Sequence, residues 1–531
     1  MDRNVNNVVG TLIQERAQSH ADRVFLFFGD EKITWGQIDS LSNKFAQGLT
    51  DLGIKKGDKV VLMMLNYPDF LYAWFGTSKI GAVEVPVNVA LKGDSLSYII
   101  NNSDSKILFI DSSLLDRLVL IRNDLTKLER IVCRGQIDKS IADSLSIPVM
   151  SMDEFFKYPS DPVKADVSWT DPLGILYTSG TTGLSKGVVL CHNAFIHLAR
   201  LIVGFRQLGP QDILYTFLPL FHGNAQMLSV MNAVVADSQL VLKDRFSAST
   251  FWDEIRYYGA TQFNYLGAVM TILSKQPPKD DDADNPVRIC IGAACPPDVM
   301  KHMEKRFKIT CLEGYGLTEA GIFMHWTVDD RKSGSCGKIV DKYYEAKLMD
   351  DEDFEVPVGQ TGEIVVRPKA PFIMMSEYYK MPEKTLESYR NLWFHTGDWA
   401  RKDEEGNFFF MDRKKDALRR RGENISSFEV EKVINSHPKV MESAVYAVPS
   451  DLGEDEVKAS VVLKPDETLA PEELIKYCND RMAYFAIPRY LEFVAELPKT
   501  PTARVEKYRL REAGITPNTW DREKAGVKVT R

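Results

Sequence analysis

Long apolar runs are missing from this sequence. No stretch of about 18 consecutive apolar residues occurs in the 531-residue chain, so we expect no transmembrane helix. The first residues, Met1-Asp2-Arg3-Asn4, lack the apolar core of a secretory signal. The last residues, Val529-Thr530-Arg531, do not form a peroxisomal Ser-Lys-Leu signal. We therefore expect a protein that is neither inserted into a membrane nor exported.

Cysteine is scarce and scattered. The chain has seven cysteines, and no two of them form a Cys-x-x-Cys pair. An odd number without paired spacing argues against both a disulfide framework and a zinc site. A reducing compartment suits such a sequence, so a cytoplasmic location is predicted.

An excess of positive charge is also absent. The formal net charge is −8, and no basic stripe with interleaved aromatic residues occurs. Nucleic acid is therefore not an expected partner. The hydrophobic content of 44% and charged content of 26% are typical of a globular protein. At 531 residues the chain is too long for one hydrophobic core, so two or more domains are expected.

Apolar segments of helical and strand length alternate through the first 165 residues. Ile38, Phe45 and Leu49 recur at helical spacing, and Gly53 is placed to end that helix. The apolar runs at 59–65 and 82–87 read as buried strands. Strands that alternate with helices predict βαβ units and a mostly parallel sheet, which places the chain in the α/β class.

A loop rich in glycine and hydroxyl residues follows the apolar run Leu173–Leu176. It reads Tyr177-Thr178-Ser179-Gly180-Thr181-Thr182-Gly183-Leu184-Ser185-Lys186-Gly187. Glycine lets a backbone approach an anion closely, and successive N–H groups form a nest for phosphate oxygens. Lys186 adds a positive charge. The pattern is not a Walker A loop, because Ser185 precedes the lysine and Gly187 follows it. The alternative is a flexible polar hairpin without a ligand.

The same string resembles the signature loop of the adenylate-forming superfamily, which contains acyl-CoA synthetases, luciferases and peptide-synthetase adenylation domains. Three later segments resemble further motifs of that superfamily in the expected order. They are Leu218-Pro219-Leu220-Phe221-His222-Gly223-Asn224, Glu313-Gly314-Tyr315-Gly316-Leu317-Thr318-Glu319 and Trp393-Phe394-His395-Thr396-Gly397-Asp398. Together the four motifs carry the resemblance over nearly the whole chain. The ending around 481–511 looks most like the crotonobetaine/carnitine-CoA ligase type of acyl-CoA synthetase.

The resemblance implies a large, multi-sheet αβαβα-type N-terminal domain and a small mobile α+β C-terminal lid domain. The implied boundaries are 1–412 for the AMP-binding domain, 413–417 for the hinge, with Lys415 at its centre, and 418–531 for the lid. The implied reaction joins a carboxylic acid to coenzyme A through an acyl-adenylate, using ATP and Mg²⁺. A homodimer is compatible with the resemblance.

The resemblance also implies roles for individual residues. Catalytic roles fall to Thr178, Lys186, His222, Thr318, Glu319 and Arg504, with Glu319 as the metal ligand. ATP or AMP would contact Thr178, Ser179, Gly180, Thr181, Thr182, Gly183, Lys186, Gly292, Ala293, Ala294, Glu313, Gly314, Tyr315, Gly316, Thr318, Asp398, Phe410 and Arg413. The acyl pocket would contain Phe221, His222, Asn224, Gly292, Ala294 and Gly316. Coenzyme A would contact Arg420, Arg421, Gly422 and Glu423.

Two positions depart from superfamily patterns. An amino-acid-activating domain typically has an aspartate where this chain has His222, which disfavours an α-amino acid substrate. The lysine that normally contacts the carboxylate and α-phosphate during adenylation is replaced by Arg504. Three rivals to the acyl-CoA synthetase stay open: a luciferase-like oxygenase, an adenylation enzyme with an acceptor other than coenzyme A, and a nucleotide-binding protein with impaired adenylation.

Overall fold

The computed structural model describes residues 7–178, 185–413, 418–420, 423–425, 427–449, 455–479, 481–482, 486–499 and 505–529. The chain divides into two compact units. The first comprises Met1–Glu345 and Arg367–Leu392, and the second comprises Ala346–Val366 and Trp393–Arg531.

The helices and strands alternate through most of the first unit. In chain order the α-helices are α1 (Val9–His20), α2 (Trp35–Asp51), α3 (Pro68–Lys79), α4 (Gly93–Asn102), α5 (Asp116–Val119), α6 (Lys139–Ser144), α7 (His192–Phe205), α8 (Gly223–Ala225), α9 (Met231–Ala236), α10 (Phe251–Tyr258), α11 (Gly267–Ser274), α12 (Pro297–Phe307), α13 (Pro382–Ser388), α14 (Ser427–Asn435), α15 (Pro471–Asn479) and α16 (Lys507–Ala513). A π-helix, Gln226–Val230, joins α8 to α9. Short 3-10 helices cover Ser112–Leu114, Met152–Lys157 and Arg390–Leu392.

In chain order the strands are β1 (Val24–Phe28), β2 (Glu31–Thr34), β3 (Lys59–Met63), β4 (Val83–Pro86), β5 (Ser105–Asp111), β6 (Arg130–Arg134), β7 (Val149–Ser151), β8 (Pro172–Thr178), β9 (Lys186–Cys191), β10 (Ile213–Thr216), β11 (Gln239–Leu242), β12 (Gln262–Leu266), β13 (Ile289–Ala293), β14 (Thr310–Leu317), β15 (Gly321–His325), β16 (Lys338–Ile339), β17 (Tyr344–Met349), β18 (Thr361–Pro368), β19 (Glu377–Tyr378), β20 (Phe394–Lys402), β21 (Phe408–Arg413), β22 (Leu418–Arg420), β23 (Glu423–Ile425), β24 (Val440–Pro449), β25 (Asp455–Leu463), β26 (Tyr490–Phe493) and β27 (Trp520–Asp521).

Two large sheets form the frame of the first unit. One has nine strands in the order β16-β15-β14-β13-β12-β10-β11-β1-β2, and the other has eight in the order β19-β9-β8-β4-β3-β5-β6-β7. Most neighbours in both sheets run parallel, as the βαβ pattern predicts. Helix α7 contacts β9 of the eight-stranded sheet and β15 of the nine-stranded sheet, so it lies between them. Its residues from 192 to 199 are all buried, which is typical of a helix covered on every side.

Local sequence signals explain several of these elements. Thr34 and Gln37 form a capping box at the start of α2, whose apolar face is buried. Pro68 occupies the first turn of α3, where its missing N–H costs no hydrogen bond. The predicted helix around Ile38–Leu49 and the predicted strands at 59–65 and 82–87 are confirmed, with ends shifted by a few residues.

The second unit contains two four-stranded sheets, β17-β18-β20-β21 and β24-β25-β26-β27, and the small ribbon β22-β23. Its larger core lies between α14, α15 and the sheet of β24 to β26, around Val445, Val457 and Leu474. The unit also includes residues 346–366 and 393–412, which the sequence analysis assigned to the first domain. The hinge at 413–417 stays a prediction, because residues 414–417 lie outside the described part of the chain.

The α/β class, with large N-terminal sheets and a smaller C-terminal domain, is therefore confirmed. Among the described residues, no helix combines the length and the apolar character needed to cross a bilayer. None of the seven cysteines is bonded to another in a disulfide.

Candidate active site

The predicted phosphate-binding loop connects two antiparallel strands of the eight-stranded sheet. Thr178 at the end of β8 pairs with Lys186 at the start of β9, and the Thr178 hydroxyl donates to the Lys186 C=O at 3.4 Å. Both predicted catalytic residues thus stand at the two stems of the loop. The predicted ATP contacts between the stems, Ser179, Gly180, Thr181, Thr182 and Gly183, lie outside the described residues.

Lys186 and Glu319 converge on Tyr378, a residue that the sequence analysis did not single out. Strand β19 pairs with β9 so that Tyr378 lies opposite Val188. The Lys186 ammonium lies 4.2 Å from the centre of the Tyr378 ring, within the range of a cation–π contact. The Tyr378 hydroxyl donates to Glu319 Oε1 at 2.9 Å. One tyrosine therefore connects the predicted phosphate-binding cation to the predicted metal ligand.

Burial determines the protonation state of the Tyr378 hydroxyl. It raises the pKa of Tyr378, and the Glu319 carboxylate raises it further, so the phenol keeps its proton and remains a donor. Glu319 is also held through its backbone, because the Met375 N–H donates to the Glu319 C=O at 2.7 Å. No spacing rule in the sequence would have selected Tyr378, since its partners are brought to it only by the pairing of β19 with β9.

The motif 313–319 forms the end of β14 and the turn into β15. Gly316 has no room for a side chain, because a Cβ there would lie 2.1 Å from the Gly321 C=O. The Tyr315 ring meets Phe323 edge to face at 5.4 Å between ring centres. Tyr315, Thr318 and Glu319 are each partly exposed. The motif therefore presents its side chains on a tightly closed hairpin.

Glu313 holds the neighbouring segment 292–295 rather than projecting freely from the motif. Its Oε1 accepts the Cys295 N–H at 2.7 Å. The side chain is buried, and burial raises the pKa of Glu313 to about 7. The backbone between them is constrained: Ala294 has a φ of 59°, and a Cβ on Gly292 would lie 2.3 Å from the Tyr265 C=O. Nucleotide contacts by this segment and by Glu313 stay predictions.

The predicted acyl-pocket motif begins with a turn and continues into the π-helix. The Gln226 N–H donates to the His222 C=O at 3.2 Å. The His222 side chain reaches solvent, yet surrounding protein atoms still desolvate the ring and lower its pKa, so it is neutral at pH 7. Asn224 accepts a hydrogen bond from Asn264 of β12 at 3.2 Å. Because Asn264 pairs with Ile291, this contact brings the motif close to Gly292 of the neighbouring strand.

The predicted ribose site lies in the second unit. Strands β20 and β21 place Asp398 directly opposite Arg413 in the backbone register, and Phe410 opposite Ala400. Asp398 is 4% exposed. The turn before it is fixed by the buried Glu363, whose carboxylate accepts the Gly397 N–H at 3.0 Å and contacts His395 Nδ1 at 3.2 Å. Glu363 was missed by the sequence analysis, because it lies on a different strand from the motif it supports.

The predicted coenzyme A contacts, the hinge residue and Arg504 lie only partly within the described residues. The backbones of Arg420 and Glu423 lie opposite each other in the ribbon β22-β23, while Arg421, Gly422, Lys415 and Arg504 lie outside the described residues. Lys507, three positions after Arg504, forms an ion pair with Glu431 at 2.8 Å and a hydrogen bond to Ser427. Its ammonium is therefore engaged within the second unit.

Comparison with known proteins shows what this chain resembles. Residues 13–379 match the family model described as "AMP-binding enzyme", and residues 429–504 match "AMP-binding enzyme C-terminal domain". The crotonobetaine/carnitine–CoA ligase of Salmonella agona (strain SL483) is 31% identical over 488 residues, which cover 90% of this chain and 93% of that protein. The crotonobetaine/carnitine–CoA ligase of Salmonella typhi is 30% identical over 508 residues, covering 93% and 97%.

Among solved structures, an anthranilate CoA ligase in complex with anthranoyl-AMP superimposes with a TM-score of 0.87 at 27% identity. That superposition covers 95% of this chain and 96% of the ligase. A benzoate CoA ligase from Burkholderia xenovorans LB400 shares the fold, with a TM-score of 0.85 at 23% identity over 96% and 100% of the two chains.

Proposed function

The chain belongs to the AMP-binding enzyme family, and we propose that it is an ATP-dependent acyl-CoA synthetase. It would convert a carboxylic acid, ATP and coenzyme A into acyl-CoA, AMP and pyrophosphate. The ligases similar to it, crotonobetaine/carnitine–CoA ligase and anthranilate CoA ligase, support this assignment. The structural observation that carries it is the convergence of Lys186 and Glu319 on Tyr378.

In the first half-reaction a carboxylate oxygen attacks the α-phosphorus of ATP, and pyrophosphate leaves. Two anions must approach each other, so positive charge and N–H donors around the phosphates lower the barrier. Lys186 supplies a cation at the stem of the loop, and Thr178 supplies a hydroxyl at the other stem. Thr318 is placed one residue before Glu319 and would donate to the α-phosphate.

Mg²⁺ would enter with ATP, and the described residues fit it. Glu319 receives a hydrogen bond on Oε1, which leaves Oε2 for a hard cation. Among the described residues there is no cluster of three or more side chains that would hold a metal by themselves. A single carboxylate combined with phosphate oxygens is a common arrangement for Mg²⁺, which neutralises the charge of the departing pyrophosphate when bound.

In the second half-reaction the thiol of coenzyme A attacks the acyl carbonyl, and AMP leaves. We propose that coenzyme A is contacted by Arg420, Arg421, Gly422 and Glu423. We also propose that Lys415 is the hinge about which the lid domain turns between the two half-reactions. Asp398 and Arg413 would hold the ribose, because a carboxylate accepts hydrogen bonds from both hydroxyls. A cytoplasmic location and a homodimer also stay predictions.

The direct test measures pyrophosphate release over a panel of carboxylic acids, with and without coenzyme A. We expect release with a subset of acids, and acyl-CoA by mass spectrometry only when coenzyme A is present. Glu319→Gln and Lys186→Met should each lower the rate by about 10²-fold or more, since both act on the transferring phosphate. Lys384→Met removes an exposed lysine from α13 and serves as the control. Absence of both pyrophosphate and acyl-CoA with every acid would refute the assignment.

A further inference from the structure

A fully buried arginine lies behind the predicted acyl-pocket motif. Arg206 follows α7, and its guanidinium is shielded from solvent. Burial lowers the pKa of Arg206 to about 9, with Asp212 and Cys290 opposing the effect and Arg288 adding to it, so the group is charged at neutral pH. The groups that accept its hydrogen bonds are uncharged: Gln262 Oε1 at 2.6 Å, Asn264 Oδ1 at 3.0 Å and the Leu228 C=O at 3.4 Å.

Arg206 orients the side-chain amide of Asn264, and Asn264 in turn orients the side-chain amide of Asn224. A guanidinium only donates, so Asn264 must direct its Oδ1 toward Arg206. The Asn264 Nδ2 then faces the opposite side, where its two N–H groups are shared among three acceptors: the Leu228 C=O at 2.8 Å, Ser229 Oγ at 2.9 Å and Asn224 Oδ1 at 3.2 Å. Asn224 is consequently oriented with its oxygen inward.

The outer end of Asn224 is therefore its NH₂ group. Asn224 is partly exposed, and its Nδ2 has no hydrogen-bond partner among the described residues. The alternative orientation would place the NH₂ group of Asn224 against that of Asn264, so the inward N–H of Asn224 would meet a donor instead of an acceptor. The buried charge of Arg206 thus determines which polar group the pocket motif offers to a ligand.

We propose that Asn224 donates a hydrogen bond to the acyl part of the acid, so that the enzyme selects acids bearing a neutral or anionic hydrogen-bond acceptor over aliphatic acids and rejects cationic ones. The inference rests on the proposed acyl-CoA synthetase function. A purely aliphatic acid would displace water from the Asn224 N–H and offer no acceptor in its place. The donor would then be left without a hydrogen bond, which disfavours binding of such acids. A buried cation is weakly screened, so Arg206 also opposes a positively charged acyl group.

The test compares acids that differ only at the end remote from the carboxylate. For chain lengths of four to eight carbons, kcat/KM is measured by pyrophosphate release for the aliphatic acid, the keto acid, the dicarboxylate and the trimethylammonium acid. We expect the keto acid or dicarboxylate to exceed the aliphatic acid by about tenfold at the optimal length, and the cationic acid to be the poorest substrate. Asn224→Leu keeps the side-chain volume and removes the donor, so the ratio of kcat/KM for the keto acid or dicarboxylate to kcat/KM for the aliphatic acid should fall to about one.

Two further variants separate recognition from folding. Asn264→Asp accepts from Arg206 but cannot donate to Asn224, so it should relax the rejection of the cationic acid. Asn232→Leu removes another hydrogen bond to the Leu228 C=O and should affect all acids alike. If acids are activated but no chain length shows an acceptor preference, or if Asn224→Leu lowers every acid equally, the inference is wrong and the proposed function stands. If no acid releases pyrophosphate, the proposed function itself fails.

Discussion

The hydroxyl of Tyr378 donates a 2.9 Å hydrogen bond to the carboxylate of Glu319, while the face of the same ring receives the ammonium of Lys186. The tyrosine therefore contacts both a cation and an anion of the candidate site. Both charged groups are thereby oriented before a nucleotide arrives. Such preorganisation reduces the rearrangement needed when charge develops on the phosphates.

Tyr378→Phe should separate the two contacts of this residue. The ring remains under Lys186, but Glu319 loses a donor worth about 0.5–1.5 kcal/mol. We expect the apparent Mg²⁺ requirement for pyrophosphate release to rise roughly 2- to 10-fold, with a smaller change in the KM for the acid. Tyr378→Leu removes both contacts and should also raise the KM for ATP. Identical Mg²⁺ titrations for the parent and Tyr378→Phe would show that the hydroxyl does not position the metal ligand.

Glu84 is a fully buried carboxyl that pairs with the π-helix. Gln226 Nε2 donates to Glu84 Oε2 at 3.1 Å, and the second oxygen of each side chain has no partner among the described residues. Burial raises the pKa of Glu84 well above its ordinary value of 4.5. A protonated Glu84 would donate to the remaining Gln226 oxygen and satisfy both groups. We therefore expect this carboxyl to be neutral at pH 7.

The folded state then binds a proton that the unfolded state releases above pH 4.5. Stability should fall as the pH rises from there toward the folded pKa, by about 1.4 kcal/mol per pH unit. Glu84→Gln cannot ionise, so it should match the parent near pH 5 and exceed it at pH 8 in the thermal midpoint. Glu84→Leu leaves the Gln226 amide buried without a partner and should be less stable at both pH values. Parallel pH curves for the parent and Glu84→Gln would contradict the prediction.

The stability of the folded protein should also depend on pH through Glu313. The pKa of Glu313 is raised to about 7 from an ordinary 4.5. This carboxyl should therefore lower the free energy of unfolding as the pH rises between those two values, and should have no further effect at higher pH. Glu313→Gln keeps an oxygen for the Cys295 N–H and removes the titration. We expect the variant to lose the part of the pH dependence that lies below pH 7. Glu383→Gln, a change of an exposed carboxylate on α13, is the control for altered net charge.

Asp398→Ala should weaken ATP binding by about 2–4 kcal/mol, because a charged acceptor of two ribose hydroxyls is lost. Titration calorimetry with ATP and with pyrophosphate distinguishes ribose recognition from a general defect, since only ATP carries the ribose. Glu404→Ala removes an exposed carboxylate from the same unit as a control. Unchanged ATP affinity in Asp398→Ala would place the nucleotide elsewhere.

Arg504→Lys should increase the rate of adenylation by roughly tenfold to a hundredfold. The planar guanidinium keeps the charge of the usual lysine but not its compact shape, and a displacement of about 1 Å can cost that much. Conversion of supplied acyl-adenylate to acyl-CoA should change much less. Lys507 is already paired with Glu431, so Lys507→Met should not selectively stop adenylation. The opposite pattern, with no gain from Arg504→Lys and no adenylation in Lys507→Met, would show that Lys507 is the catalytic cation.

Much of the fold was accessible from the sequence because its signals are local. Helical spacing in residues 38–49, the proline that starts α3 and the apolar run before the loop each predict an element that the structure contains. The family motifs likewise identified Lys186, Glu319 and Asp398 as candidates without any coordinates. These features depend on backbone geometry and on neighbours within a few positions along the chain.

The partners of those candidates were decided only by the tertiary structure. Tyr378 reaches Lys186 and Glu319 because β19 adds to the edge of the sheet beside β9. Arg206 reaches Asn224 through Asn264, whose position is set by the neighbouring strand β13. Strand order, register and burial arise from packing between distant segments, so no local pattern reveals which buried amide faces which charge. The sequence alone determined the family and predicted candidate reactive groups, whereas long-range packing decided how those side chains are oriented and charged.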